Sequence, residues 1–263
     1  MGSATREALA TAVAALGKQG AVSLTAGEQL LDASLVVAGS PQLRAALADG
    51  TAEVENRRGI AAAVFAGYAP VAKTVLEALV SQRWSSAGDL VAGIEELGIR
   101  AVADSAPKSV SIDEELFAFS AAVSSSAELE LALGSKLGEV DGRISLVKDL
   151  LGNKASEQTV AIVTALIAQP RGRRVGELLR YAANLVAEQA GVAIATVTVA
   201  NALSKASVER LQKALTAQYD KEIRINEIVD PRVLGGMRVQ VGDEVIDGTI
   251  SNRISDLRLQ LAG

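Results

Sequence analysis

Four acidic side chains near the end of the chain are the set that most resembles catalytic machinery. Asp230, Asp243, Glu244 and Asp247 lie close together in sequence, and paired carboxylates act as general acid and base when they are buried and face each other. Here they fall at predicted strand ends and at a predicted hairpin tip, so we interpret them as turn caps and solvated charges. The chain contains no His and no Cys, which excludes Ser–His nucleophiles, thiol chemistry and the usual zinc sites.

A glycine pair and a serine cluster could also carry chemistry. Gly235 and Gly236 could approach a phosphate, but a nucleotide-binding loop needs the full glycine spacing and a helix directly after it. A predicted strand follows instead, so the pair indicates a tight bend or bulge. Ser124 to Ser126 precede Leu129 as a helix N-cap cluster would. We therefore predict no catalytic, cofactor-binding or metal-binding residue.

The charge distribution argues against nucleic acid as a partner. The formal net charge is −5, whereas a phosphate-binding protein needs a clustered basic face. The nearest cluster is Arg171, Arg173 and Arg174, beside Pro170 and Gly172. This cluster fits either an anion site or an exposed turn between helices, and we favour the turn.

No segment predicts a membrane span or a secretion signal. The longest uncharged run, residues 189–204, is too short to cross a bilayer. The N-terminus lacks the basic start and small-residue cleavage site of a signal peptide. We expect a cytoplasmic protein that meets a membrane only through its partners.

The first three-quarters of the sequence predict amphipathic helices. Leu9, Val13 and Leu16 fall at the i, i+4, i+7 spacing of one helical face, and Thr25 with Glu28 has the spacing of a capping box. Trp84, the one tryptophan, lies between two predicted helices and fits either a packing anchor or a partner contact.

The helical region contains an internal repeat. A shift of 86 positions aligns residues 25–67 with residues 111–153 without a gap and superposes Thr25 on Ser111 and Arg57 on Arg143. Two inserted residues then continue the match toward residue 178. Amphipathic helices can also resemble one another by chance, but one shift here aligns the breaks between helices as well. We therefore predict two related bundles, residues 1–108 and 109–190.

The last part of the chain, residues 191–263, predicts a small α/β domain. Residues 192–199 alternate like a half-buried strand, and Ser204 can begin a helix. Two further strands are predicted around residues 223–229 and 237–241, and Gly242-Asp243 suits a two-residue hairpin turn. Ile250, Ile254, Leu257 and Leu261 form the stripe of a final helix. The predicted fold class is α+β, mostly α: a duplicated helical bundle, then a small domain with a hairpin sheet and helices.

This C-terminal segment resembles the signature of the ATP synthase delta family, whose mitochondrial member is the oligomycin-sensitivity-conferring protein. The resemblance covers roughly residues 190–262. The family pattern is an acidic residue, an apolar pair, two glycines, an apolar alternation, Gly-Asp, an apolar–Asp step and a helix with a basic residue. Here these positions are Asp230, Leu234, Gly235, Gly236, Gly242, Asp243, Asp247 and Arg253. The chain is longer than the usual member, and this length suggests an actinobacterial type.

The resemblance implies a non-catalytic stator subunit of an F-type ATP synthase that resists rotor torque during proton-driven ATP synthesis. It implies no cofactor, and a peripheral place on the cytoplasmic face of the bacterial cell membrane. It further implies that grooves of the bundle bind the N-terminal helices of the alpha subunits of the catalytic head. The C-terminal domain would contact the b (or b-prime) subunit of the peripheral stalk. The candidate stripe for partner binding is Leu9, Val13, Leu16, Val75 and Leu79.

Two other functions compete with the stator interpretation. A duplicated helical scaffold or regulatory module would make the C-terminal signature a coincidence, which its length disfavours. An enzyme would need a cofactor motif, a metal set or a nucleophile–base pair, and none is found in the sequence. Which bundle copy binds the alpha subunits is left open at this point.

Overall fold

The computed structural model describes residues 2–135, 139–242, 244–250 and 252. These residues form helices throughout the first part of the chain and a four-stranded sheet near its end, which confirms the predicted α+β, mostly α class. Contacts divide the chain into two compact units, Met1–Val186 and Ala187–Gly263. Among the described helices none is both long and apolar enough to cross a membrane alone, although the adjoining seventh and eighth helices reach that size together, with a bend of 109°.

The element bounds follow the predicted order of helices and strands. The helices of the first unit are α1 Ser3–Gly17, α2 Leu24–Gly39, α3 Pro41–Ala48, α4 Val54–Val64, α5 Pro70–Ser81, α6 Ala87–Asp104, α7 Ile112–Ser125, α8 Ala127–Gly134, α9 Val140–Leu151, α10 Glu157–Ala168 and α11 Val175–Gln189, the last running into the second unit. The second unit contains β1 Val192–Val199, α12 Lys205–Tyr219, β2 Glu222–Val229, β3 Met237–Val241 and β4 Glu244–Asp247.

Serine side chains begin many of these helices. Ser40 accepts the backbone N–H of Leu43 at the start of α3, and Ser126 accepts that of Leu129 at the start of α8. The capping box predicted at Thr25 is wrong, because Ser23 is the extended residue that caps α2. At α7 the cap position is Ser111, but its side chain makes no capping bond.

The internal repeat of the sequence is present in the structure. Helices α2 to α6 recur in order as α7 to α11, at offsets of 86 to 88 residues between most helix starts and ends. Buried positions recur with them. Leu47 and its counterpart Leu133 are fully buried, and Arg57 and its counterpart Arg143 are each at least nine-tenths buried. Both bundles lie in one compact unit, so the predicted boundary at residue 108 stays a proposal.

Helix α6 belongs to both bundles. It ends the first one, and the 86-residue shift also carries α1 onto residues 89–103, inside α6. The buried face of α1 (Thr5, Ala8, Ala12, Leu16) thereby maps onto Val91, Ile94, Gly98 and Val102 of α6, which are buried as well. Helix α6 is therefore the last helix of one bundle and the first helix of the next.

Small residues let α6 pack closely against its neighbours. A Cβ atom on Gly27 of α2 would lie 2.7 Å from the backbone N of Val102, and one on Gly98 would lie 2.9 Å from the backbone N of Leu31. Trp84 is a packing anchor, because its ring covers Gly93 and its Nε1 donates to the Leu79 carbonyl at 2.9 Å.

The second unit is a mixed sheet with the order β2-β1-β3-β4. Strand β1 runs parallel to β2 and antiparallel to β3, and β3 pairs with β4 across the predicted turn, Val241 opposite Glu244. The core of this unit joins Ala195, Val197, Ile223 and Val239 to Leu215 of α12. The hairpin is confirmed, and the final helix predicted on Ile254, Leu257 and Leu261 lies outside the described residues.

Candidate partner-binding surfaces

The glycine pair of the C-terminal signature forms a bend at the start of β3. Gly235 and Gly236 have φ angles of 119° and 79°, which side-chain-bearing residues rarely adopt. The Gly235 carbonyl accepts the N–H of Ile250 at 3.1 Å, and a Cβ atom on Gly236 would lie 2.4 Å from the Gly248 carbonyl oxygen. The pair thus lets two backbone segments approach each other.

The acidic signature residues hold neighbouring turns. Asp230 accepts the N–H of Arg232 at 3.0 Å and forms an ion pair with its guanidinium at 2.9 Å, and these bonds lower the pKa of Asp230. Asp247 accepts the N–H and the hydroxyl of Thr249, which lower its pKa in the same way. Glu244 accepts the Tyr219 hydroxyl at 2.9 Å. Asp230 and Asp247 are therefore charged turn caps, while Asp243 and Arg253 lie outside the described residues.

Exposed apolar side chains gather at one end of the sheet. Strands β1 and β2 end there, β3 begins there and β4 ends there. Leu234, in the loop before β3, is 74% exposed, and Val229 at the end of β2 is 50% exposed. Ile246 and Ile250 are exposed at the same end of the sheet. Apolar groups concentrated at one place on a surface are typical of a protein–protein contact.

The N-terminal stripe predicted for partner binding is mostly core. Leu16, Val75 and Leu79 are fully buried, so they offer no surface in this structure. Leu9 and Val13 are half-buried against the same core and remain open on one side. The stripe failed at these three positions because helical spacing identifies an apolar face without telling whether another helix already covers it.

The corresponding surface of the second bundle is covered by the chain itself. The 86-residue shift carries Leu9 onto Glu95 and Val13 onto Ile99 of α6, and both are buried. Helix α2 contacts both α6 and α10, which take the places of α1 and α5 in the second bundle. A helix of the first bundle therefore lies where an incoming helix could bind the second.

The arginine turn after α10 is tied to α6 rather than simply solvated. Arg171 donates to Glu95 at 2.5 Å, and Arg173 donates to the same carboxylate at 2.8 Å. Arg173 also stacks over the ring of Tyr181, and burial together with Glu96 and Glu95 raises the pKa of Tyr181. Sequence reasoning missed Glu95, because it lies 76 residues before Arg171 and only the folded bundle brings the two side chains together.

Comparisons with known proteins confirm the family resemblance of the sequence. The sequence pattern of the family described as "ATP synthase delta (OSCP) subunit" matches residues 99–261. The "ATP synthase subunit delta" of Leifsonia xyli subsp. xyli is 50% identical over the full length of both chains. That of Thermobifida fusca is 35% identical over 91% of this chain and 90% of its own. A chain of the cryo-EM structure of the Toxoplasma gondii mitochondrial ATP synthase hexamer aligns with a TM-score of 0.43 at 16% identity, covering 64% of this chain and 96% of that one, a likeness too low to bear on the fold.

Proposed function

The chain belongs to the ATP synthase delta (OSCP) subunit family, and from this premise we propose that it joins the catalytic head of an F-type synthase to the peripheral stalk. It is a non-catalytic structural subunit of that complex and a peripheral part of it. In the proposed role it holds the alpha/beta head still against rotor torque during proton-driven ATP synthesis. Its place is the cytoplasmic face of the bacterial cell membrane, where other subunits attach it.

The proposed contact with the b (or b-prime) subunit is the exposed apolar end of the sheet. Leu234 and Val229 present large side chains to solvent there, and removing them from water would stabilise a complex by about 25 cal/mol per Å² of apolar area. The signature turns around Asp230 and Asp247 hold this end in shape. The signature thus serves to position a surface rather than to perform chemistry.

The proposed contact with the alpha subunits is the face of the first bundle formed by α1 and α5. The observation that supports it most directly is the position of α2, which contacts both α6 and α10. These two helices form the groove of the second bundle that corresponds to the α1–α5 groove of the first. With the second groove filled from within the chain, the open copy is the first. Leu9 and Val13 are the side chains that an amphipathic helix would cover there.

Isothermal titration of the full chain with the N-terminal peptide of its own organism's alpha subunit tests the head contact. We expect binding that Val13→Asp weakens by about tenfold or more, since it places a charge in an apolar contact. Val140→Asp is the matched control, because Val140 is an exposed apolar residue of the second bundle and its replacement should leave the affinity unchanged. Equal weakening by both variants, or no binding by the unmodified chain, would refute this assignment.

Co-purification with the soluble part of the b subunit tests the stalk contact. Leu234→Asp should abolish it, while Val245→Asp, next to the hairpin turn at the other end of β4, should not. Retention of the b subunit by Leu234→Asp would move the contact elsewhere.

A further inference from the structure

A wide cavity opens beside the arginine turn of the second bundle. It has a volume of about 750 Å³ and is lined by α8, the first turn of α9 and residues 170–175. Its charged wall consists of four guanidinium groups, those of Arg143, Arg171, Arg173 and Arg174, with the carboxylate of Glu130. Glu95 neutralises part of this charge by pairing with Arg171 and Arg173, which leaves the cavity with a cationic excess.

Arg143 is the residue that makes this cavity unusual. It is only 9% exposed, and its buried Nε has no hydrogen-bond partner. Among the described residues none forms an ion pair with its guanidinium. The buried-unpaired atom of this side chain is Nε alone, and Arg143 lines the cavity, so its guanidinium faces the cavity with donors that no described residue uses.

The first bundle has an arginine at the position that corresponds to Arg143, and there the side chain is bonded to the backbone. Arg57, the counterpart of Arg143, also has an unpaired Nε, but its Nη1 donates to the Gln82 carbonyl at 2.7 Å. Gln82 belongs to the turn after α5, and the corresponding turn after α10 is longer and carries the three arginines. Arg57 is thus bonded to the backbone of its own turn, whereas Arg143 lines an open cavity.

We propose that this cavity binds the carboxylate of an acidic, amphipathic segment of a partner protein. Guanidinium groups bind carboxylates through paired N–H donors in a fixed planar geometry, and a carboxylate brought to Arg143 would supply the missing acceptor. Leu131, 73% exposed, lies on the wall with Ala127, so an apolar side chain of the same segment has a surface to cover. A free inorganic anion would leave this apolar wall and most of the volume unused. No residue that lines the cavity belongs to the proposed α1–α5 contact or to the proposed sheet-end contact, so binding here would be a third contact.

Fluorescence anisotropy with the full chain and two synthetic peptides tests this proposal. The probe is a labelled helical peptide with Glu and Leu at i, i+3 and i+4 positions on one face, and its partner peptide carries Gln in place of each Glu. We expect the Glu peptide to bind and the Gln peptide to bind at least about tenfold more weakly, as charge-assisted hydrogen bonds predict. Arg143→Leu and Arg174→Gln should each weaken binding of the Glu peptide by about the same factor. Arg210→Gln, at an exposed position of α12, should leave that binding unchanged.

A stability measurement separates a binding role from a structural one. If Arg143 is retained for a ligand, Arg143→Leu should weaken peptide binding but keep or raise the melting temperature of the free chain, because it removes a mostly buried charge that no described residue pairs. If Arg143→Leu fails to fold, Arg174→Gln still decides, since Arg174 is exposed. Equal binding of both peptides, binding that neither variant weakens, or a site that takes inorganic phosphate but not the Glu peptide would each overturn the proposal. None of these outcomes depends on the alpha-subunit or b-subunit contacts.

Discussion

Replacing Gly27 by alanine should destabilise this protein, although alanine is the better helix former. Gly27 lies inside α2, where α2 crosses α6. A Cβ atom at this position would lie 2.6 Å from Val102 Cγ2 and 2.7 Å from the Val102 backbone N. The side-chain contact could be relieved by a rotamer change, but the backbone contact can be relieved only by moving one helix.

The cost follows from the displacement that the new methyl group requires. Carbon atoms pack best at about 3.5–4.0 Å, so a contact of 2.7 Å demands that the helices separate by about 0.8 Å. A gap of that size forfeits about a quarter to a half of the dispersion energy between the separated atoms. Overpacking of this kind costs about 1–3 kcal/mol, whereas alanine regains about 1 kcal/mol of helix propensity. Helix α6 is buried along most of its length and has little room to retreat, which places the overpacking cost in the upper part of its range, about 2–3 kcal/mol. After the gain in helix propensity we expect a net loss of about 1–2 kcal/mol.

Urea unfolding followed by circular dichroism measures this loss, with Gly59→Ala as the matched control. Gly59 lies inside α4, and a Cβ atom there would meet no atom within 4 Å. That variant should gain about 0.5–1 kcal/mol from helix propensity alone. If Gly27→Ala shifted the urea midpoint upward as Gly59→Ala is expected to do, the close crossing of α2 and α6 would be refuted.

Three further predictions concern other parts of the fold. Glu95→Gln should lower the free energy of unfolding, measured with urea, by about 1–3 kcal/mol. This is less than for a fully buried pair, because the two arginine partners of Glu95 are partly exposed. An unchanged free energy of unfolding would show that the ion pairs do not hold the turn. Tyr181 has its pKa raised by burial above the ordinary value of 10.0, so the folded state keeps this proton longer than the unfolded state, and stability should fall as the pH rises above about 10. Tyr181→Phe should reduce that alkaline loss, and an unchanged pH profile would contradict the assignment. Gly236→Ala should destabilise the second unit by more than about 2 kcal/mol, because its φ is 79° and a Cβ would meet a backbone oxygen at 2.4 Å. Hydrogen exchange of the β3 and β4 amides would detect that loss, and unchanged protection would count against the bend.

The sequence predicted features whose physical cause is local. The hairpin could be predicted because Gly242 supplies the positive φ of 58° that its two-residue turn uses. Strand β1 could be predicted because alternation of side chains is a local pattern, and the repeat could be found because the breaks between helices align together with the helices. The capping residue of α2 was misassigned by two positions, since Ser23 and Thr25 are both good N-cap residues and the choice depends on where the chain turns.

Features that depend on packing between helices were not predictable from spacing. Leu16, Val75 and Leu79 have the periodicity of an exposed binding stripe as much as that of a core face, and only the arrangement of the bundle distinguishes the two. The double role of α6 was hidden for a related reason. Leu9 of α1 maps onto Glu95 of α6, and a leucine aligned with a glutamate gives no sign of equivalence until both are seen to occupy the same place in a bundle.

The shared helix has a mechanical consequence for a protein proposed to resist torque. Two bundles joined by a linker could rotate about it, whereas two bundles that share one helix can rotate only if that helix is bent or stripped of contacts on one side. Leu97 and Ile94 of α6 are fully buried, and Gly98 lets α2 approach the α6 backbone, so such a rotation would disrupt a continuous core. Sharing α6 also places α2 over the second groove. A rigid joint and the coverage of the second groove by α2 are thus two results of one arrangement, and a chain in which the bundles were separated by an inserted flexible linker would lose both.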